Sequence, residues 1–267
     1  MAARRFGAAL PALGLILVWQ GISALGLVPG FMLPSPVQVA LAFGRDLPLL
    51  AGHLLRTLEE AGAGLALALV FSFILALVMD SSPFFKKAVA PLLTLTQTMP
   101  TIALAPLLIL WMGYGSSPKI ALVFLTCFFP MTVGLAGAFA AADEDELKLL
   151  ASMGASRAQL YRYIKIPQSL PEFFSGLRIS ASYSIIGAVI AEWLGGDAGL
   201  GVYMIRVRKS YSFDRMFAAI VLVALLSLAL LKLVDLIEKT AMPWKGRPGG
   251  SAYTYNRTFN THKEKDL

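Results

Sequence analysis

Long apolar runs alternate with short polar intervals along the 267 residues. Residues 6–28 form an uncharged apolar run behind Arg4 and Arg5, and further runs fall at residues 61–79, 88–113, 120–142, 179–196 and 216–234. A helix needs about 20 apolar residues to cross the hydrocarbon of a bilayer. The pattern therefore predicts an all-α polytopic membrane protein with about six transmembrane helices. The first run exceeds the apolar core of roughly 7–15 residues usual in a secretory signal, and no small-x-small cleavage site follows it. It is read as the first spanning helix, with its N-terminus inside.

The intervals refine this division. Residues 29–36 carry three prolines and cannot be helical throughout. Residues 37–56 are mixed and predict a helix lying at the membrane surface. The third run contains Pro91, Pro100 and Pro106 together with Thr94, Thr96, Gln97, Thr98 and Thr101. Prolines in a spanning helix are tolerated where neighbouring helices or a cavity satisfy the freed carbonyls. The polar groups serve either as contacts between helices or as the lining of a pathway. Gln97, Thr98, Pro100 and Thr101 are the candidates for the second role. Pro130, Gly134 and Gly137 predict close packing in the fourth run. Glu192 interrupts the end of the fifth, and with Trp193 it is either a gate or an interfacial anchor, since tryptophan favours the headgroup level. The chain divides into an N-terminal helix and linker (1–36), a core membrane domain (37–239) and a polar tail (240–267).

Residues 143–172 are the longest charged interval between apolar runs. A helix over 144–153 would stop at Gly154, because glycine accepts the left-handed conformation that ends helices. Ser156 can cap a second, short helix. Leu160, Tyr161 and Ile164 recur there at three- and four-residue spacing, with Arg157, Arg162 and Lys165 around them. Pro167 and Pro171 are expected to break the chain before it returns to the membrane. Helix, turn, helix and break make a docking shape; the alternative is an amphipathic loop resting on anionic lipid.

Composition narrows the function. Hydrophobic residues make up 57% and charged residues 15%, and no polar block is long enough for a soluble domain. The net charge of +7 would suggest nucleic acid in a soluble protein. Here sixteen of the 23 lysines and arginines fall at the N-terminus, in alternate loops, near the end of the last span and in the tail. Seven fall on the other side. That bias accounts for the charge without nucleic acid and places residues 143–172 and both termini in the cytoplasm. A single cysteine, Cys127, excludes a disulfide within the chain and a cysteine metal site. His53 and His262 lack ligand spacing, so no metal or cofactor is expected. There is no P-loop motif, and the spans hold few ionisable groups for proton or sodium coupling. Gly195-Gly196-Asp197 lacks the partner motif of an intramembrane aspartyl protease. The chain reads as a conduit whose energy comes from another protein. The alternative is a self-contained secondary transporter or channel, which would show mid-membrane charge and internal repeats.

The docking interval resembles the cytoplasmic loop of the inner-membrane permease subunits of bacterial ATP-binding-cassette (ABC) importers. Their pattern is Glu-Ala-Ala, three residues, Gly, nine residues, Ile-x-Leu-Pro. Gly154 is followed by nine residues and then Ile164-Lys165-Ile166-Pro167. The first half departs from the pattern, with Lys148-Leu149-Leu150 in place of Glu-Ala-Ala. LPSPVQVALAF, MPTIALAPLLILWMGYGSSPKI and AEWLGGDAGLGVYMIRVRKSYSFDRMFAAI extend the likeness over residues 33–238. They are similar to the nitrate/taurine/sulfonate branch and, within it, to permeases grouped with uptake of the thiamine precursor hydroxymethylpyrimidine. The resemblance implies a type I importer permease fold in the bacterial inner membrane and a separate subunit for ATP hydrolysis, so the chain itself is no enzyme. It implies as partners two cytoplasmic ATPase subunits, a second permease copy or paralogue, and an extracytoplasmic solute-binding protein, contact with which is a further reading of Glu192 and Trp193 beside the gate and the interfacial anchor. It assigns contact with the ATPases to Gly154, Ala155, Ser156, Arg157, Leu160, Tyr161, Ile164 and Pro167.

Overall fold

The structure, a computed structural model, describes residues 2–98 and 100–246. Among these, all regular structure is helical. Helix α1 (Ala2–Ala24) leads through a turn to α2 (Pro36–Arg45). Ser35 and Gln38 cap α2 reciprocally: each side chain accepts the other's backbone N–H, at 3.2 and 2.8 Å. Helix α3 (Leu47–Ser81) follows after a single residue. The surface helix expected over 37–56 is thus two elements, and its second half is the start of a 35-residue rod. The reason is packing. Leu50, His53 and Thr57 are buried, so one face of this stretch is held by other helices.

The third predicted span is α4 (Pro83–Thr98) and α5 (Thr101–Met112), bent at 97°. Pro100 takes an extended conformation at the start of α5, which a residue preceding a helix can adopt and a helical interior cannot. Helix α6 (Ser117–Ala140) is continuous through Pro130. Then come α7 (Glu144–Ser152), the single turn α8 (Arg157–Leu160), a π-helical turn (Tyr161–Lys165), α9 (Ile166–Gly195), α10 (Leu200–Lys209) and α11 (Phe213–Ala241). Four stretches are long and apolar enough to cross a membrane: α3, α6, the run Arg157–Gly195 and α11. The bent pair makes a fifth if counted as one. Helix α1, 23 residues long, corresponds to the first predicted span.

Helix α6 packs between α3 and α9. The contact is lined by small residues: Ala61 and Ala68 of α3, Cys127 of α6, and Ala188 of α9. Gly64 of α3 is required there, since a Cβ would lie 2.5 Å from Val123 Cβ and 2.9 Å from the Ile120 carbonyl oxygen. Small residues are the usual means of bringing membrane helices together. The close packing expected at Gly134 and Gly137 is not found, for a Cβ at either would meet nothing within 4 Å. Both face away from the α3 and α9 seams. The predicted tail also begins later than expected. Helix α11 runs to Ala241, Met242 is buried against Phe174 and Leu177, and Pro243–Gly246 form a 3-10 turn. The rest of that tail, and His262, lie outside the described residues.

Candidate functional site

The predicted docking segment lies at one end of the bundle. Asp143 caps α7, its Oδ1 accepting from the backbone N–H groups of Asp145 (2.8 Å) and Glu146 (3.2 Å). The acidic first turn, Glu144 to Glu146, complements the helix dipole. Gly154 ends the helix at φ +84°. Its N–H donates to the Ala151 carbonyl, and the Ala155 N–H to that of Leu150. These two bonds form a Schellman cap. Ser156 and Gln159 then make a second capping box, with the Gln159 side chain accepting from Ser156 N–H at 2.7 Å.

The structure divides the predicted contact residues into two groups. Gly154, Ser156 and Arg157 are exposed at the tip, where Met153 is 75% exposed. Ile164 is buried, while Leu160, Tyr161 and Pro167 are half-buried, as is Ala155. Pro167 does not break the chain, and neither does Pro171. The helix continues from Arg157 to Gly195. Just before Pro167 the Ile166 N–H donates five residues back, to the Tyr161 carbonyl. This wider turn relieves the crowding that a proline ring creates against the preceding turn. Gln168 closes the segment by accepting from Asp143 N–H at 3.1 Å and donating to Glu146 at 2.8 Å.

Between α5, α6 and α9 lies a cavity of about 410 Å³. Thr96, Thr101, Thr126, Phe129 and Tyr183 line it. A second hollow shares Thr101, Ile102, Thr126 and Tyr183 and continues the groove along Ile186 and Gly187 of α9. Among the described residues, no lysine, arginine, aspartate or glutamate lines either hollow. Of the candidate pathway residues, Pro100 and Thr101 line the groove. Thr98 is not among the lining residues, and its hydroxyl donates to the Leu95 carbonyl at 2.7 Å. The Gln97 side chain lies outside the described residues.

At the opposite end the structure holds a buried polar knot. His53, Thr57 and Glu60 lie on one face of α3, spaced by four and three residues. Lys119 of α6 donates to Glu60 at 2.8 Å, and both are 1% exposed. The N-terminus of α10 has no cap of its own, because Gly199, at φ +120°, has no side chain. Three other side chains supply the cap. His53 Nδ1 accepts from Gly199 N–H (3.0 Å), Thr57 Oγ1 from Leu200 N–H (2.9 Å), and Glu192 Oε2 from Gly201 N–H (2.6 Å). Thr57 donates in turn to Glu192 Oε1 at 2.7 Å. Glu192 is therefore inside this knot and does not line the groove. Trp193 is half-exposed beside Met204, Arg208 and Met216. Outside the knot, Asp197 carries a hydrogen bond from its own backbone N–H and lies near the Lys119 ammonium; these hold its carboxyl below the usual range. Burial, and then the bond to Asp46, raise the Tyr203 phenol.

The helix spacing that marks this knot is present in the sequence. The spacing alone does not reveal the knot, because His53 falls within the predicted surface helix and Lys119 and Glu192 come from distant stretches.

Membrane-length helices around an uncharged groove, with a capped helix–turn–helix projecting at one end, define a polytopic transport protein. The chain belongs to the family of binding-protein-dependent transport system inner membrane components, whose model matches residues 68–242. It is an ABC-transporter permease and not an enzyme; ATP hydrolysis in such systems resides in a separate subunit. Among curated relatives, the formylaminopyrimidine transport permease protein ThiX of Halalkalibacterium halodurans is 35% identical, over 86% of this chain and 92% of that one. The riboflavin transport system permease protein RibX of Chloroflexus aurantiacus is 34% identical, over 88% and 91%. The taurine transport system permease protein TauC of Escherichia coli is 27% identical, over 87% of each. Among solved structures, a chain of the inward-facing MetNI methionine ABC transporter superposes with a TM-score of 0.66 at 16% identity, over 73% of this chain and 97% of that one. This likeness supports the type I importer permease fold.

Proposed function

We propose that the chain forms the translocation pathway of an ATP-driven importer and takes its energy through the tip formed by α7, Gly154 and α8. The observation that carries this reading is the projecting tip. It is capped at both helices and exposes Leu149, Met153 and Arg157. Apolar residues held out in water by a rigid turn call for a partner surface. Two cytoplasmic ATPase subunits, with a second copy of this chain or a paralogue, fit that need. The basic bias of the loops supports placing this end in the cytoplasm. A binding protein would deliver solute at the opposite end, near Trp193 and α10.

The solute favoured is a thiamine precursor of the hydroxymethylpyrimidine type. The groove offers threonine and tyrosine hydroxyls and an aromatic face but no cation to neutralise a sulfonate or nitrate, and leaving such a charge unpaired is costly. The relatives named for pyrimidine and riboflavin transport also share more identity with this chain than those named for taurine or sulfonates.

The test is uptake by the chain reconstituted with its ATPase and binding protein, using labelled hydroxymethylpyrimidine and taurine. Pyrimidine uptake that requires ATP and both partners is expected. Uptake by the chain alone would instead make it a self-contained transporter. Gly154→Trp should hydrolyse ATP with uptake lost, because φ +84° is a conformation that residues with a side chain rarely adopt. Normal coupled transport by that variant would sink the assignment of the tip.

A further inference from the structure

The predicted contact residues run through the π-helical turn to Pro167, and the hydrogen bonds of that turn lead to a residue that the docking pattern does not contain. Asp80 lies in the last turn of α3, its side chain 8% exposed. One oxygen, Oδ2, accepts from the Tyr161 hydroxyl and from the Lys165 ammonium, each at 2.5 Å. The two donors are four residues apart and are the first and last residues of the π-helical turn. The Lys165 ammonium sits 5.1 Å from the Tyr161 ring centroid, and that ring meets Phe139 of α6 edge-on at 6.2 Å. Among the described residues, every side-chain hydrogen bond joining residues 157–165 to another helix ends on Asp80.

We propose that Asp80 is the positioning residue through which movement of the docking tip is passed to α3, with α3 acting as the transmission rod. The inference rests on the reading of the tip given above. Three features support it. First, π-helical turns inside otherwise regular helices tend to lie at functional sites. This one is the only break in helical register between the tip and Gly195 among the described residues. Second, the joint is stiff. Asp80 is nearly buried, so moving either donor away strands a carboxylate where water cannot replace the lost bonds. Third, α3 has a destination. Twenty residues before Asp80, about 30 Å along the helix, Glu60 is locked to Lys119. A turn further on, Thr57 and His53 hold the start of α10. One unbroken helix thus connects the docking tip to the loop that closes the opposite end.

The experiment uses the whole complex of permease, ATPase and binding protein in proteoliposomes, with labelled hydroxymethylpyrimidine as solute. Asp80→Ala is expected to lower solute moved per ATP hydrolysed by about tenfold, within the range of coupling effects between sites, while ATPase activity stays within about twofold. Asp80→Glu keeps the acceptor and should recover most of the coupling. A second readout does not need the solute. Spin labels placed at Ala158→Cys on α8 and Val70→Cys on α3 report movement on trapping with ATP and vanadate. Both should shift with Asp80 present. With Asp80→Ala the α8 label should shift and the α3 label should not.

A merely structural aspartate would lose assembly, ATPase and uptake in parallel, leaving their ratio unchanged, and that result overturns the proposal. So does an α3 label that still shifts in Asp80→Ala. A wild-type chain that fails to hold an ATPase removes the reading of the tip and this inference together. Full coupling in Asp80→Ala on a working wild type removes this inference alone.

Discussion

The two ends of the bundle use polar groups in opposite ways. At the α10 end the groups are buried and interlocked: Glu60 with Lys119, and Glu192 with Thr57 and the Gly201 N–H. At the docking end the capping groups are exposed and local. Asp143 serves α7, and Ser156 with Gln159 serves α8. Asp80 ties this end to α3. Buried polar groups bonded to one another fix one arrangement and are costly to disrupt. Exposed caps stabilise a local shape, and each is worth about 1 kcal/mol. The first arrangement suits a closure that must stay seated, and the second a tip that is moved by a partner. The difference predicts that damage at the α10 end reads out as folding, whereas damage at the docking end reads out as coupling.

The largest effect is expected at Lys119. Lys119→Met takes the 2.8 Å donor from the buried Glu60 side chain and leaves only Arg56 Nε, 3.7 Å away, beside it. Removing one member of a buried pair costs about 3–5 kcal/mol. The variant should show a strongly lowered thermal midpoint in detergent, or little folded protein. Adding Glu60→Gln should restore much of the loss, because the stranded charge is removed. If Lys119→Met melts with the wild type, the pair is not the anchor described here.

A smaller loss is expected for Thr57→Val, which preserves shape. The Thr57 hydroxyl both donates to Glu192 and accepts from the Leu200 N–H. Its removal leaves a buried donor unsatisfied, at a cost of about 1–3 kcal/mol. Thermal melting and proteolysis at residues 196–199 would report it. Surviving molecules should still move a normal amount of solute per ATP. A changed ratio with unchanged stability would reverse the comparison, making the knot part of coupling.

The docking end was largely legible in the sequence because its determinants are local. Gly154 and Ser156 act through backbone groups within a few residues, and the glycine and the cap lie where the pattern put them. The apolar runs likewise located the spanning helices. Three features were not legible, each for a tertiary reason. Pro167 read as a break because a proline in isolation removes a donor and crowds the turn before it. The π-helical turn accommodates that ring, and packing of Ile164 and Phe174 holds the helix straight through. The sharp bend between α4 and α5 hid inside a run whose three prolines suggested a kink without saying which would open it. The knot joins α3 to residues about sixty and about 135 positions later, a relation that no local pattern encodes.

The smallest stability effect, and the sharpest test of the contrast, is Ser156→Ala. This removes the hydroxyl that accepts from the Gln159 N–H and half of the capping box. The cost to α8 is about 1 kcal/mol, and α8 is a single turn whose C-terminal side is held by the Asp80 joint. Global melting should therefore barely change, since unfolding of the bundle does not depend on one exposed cap. The orientation of Arg157 at the tip depends directly on it. Solute moved per ATP should fall a few-fold, the range expected from about 0.5–1 kcal/mol of lost coupling, while the thermal midpoint stays near the wild type. Restoring the cap with Ser156→Asp should restore the ratio, because aspartate caps as well as serine. A drop in melting temperature with the ratio intact would mean that the tip is fastened to the bundle as firmly as α10. The two ends would then differ in exposure alone.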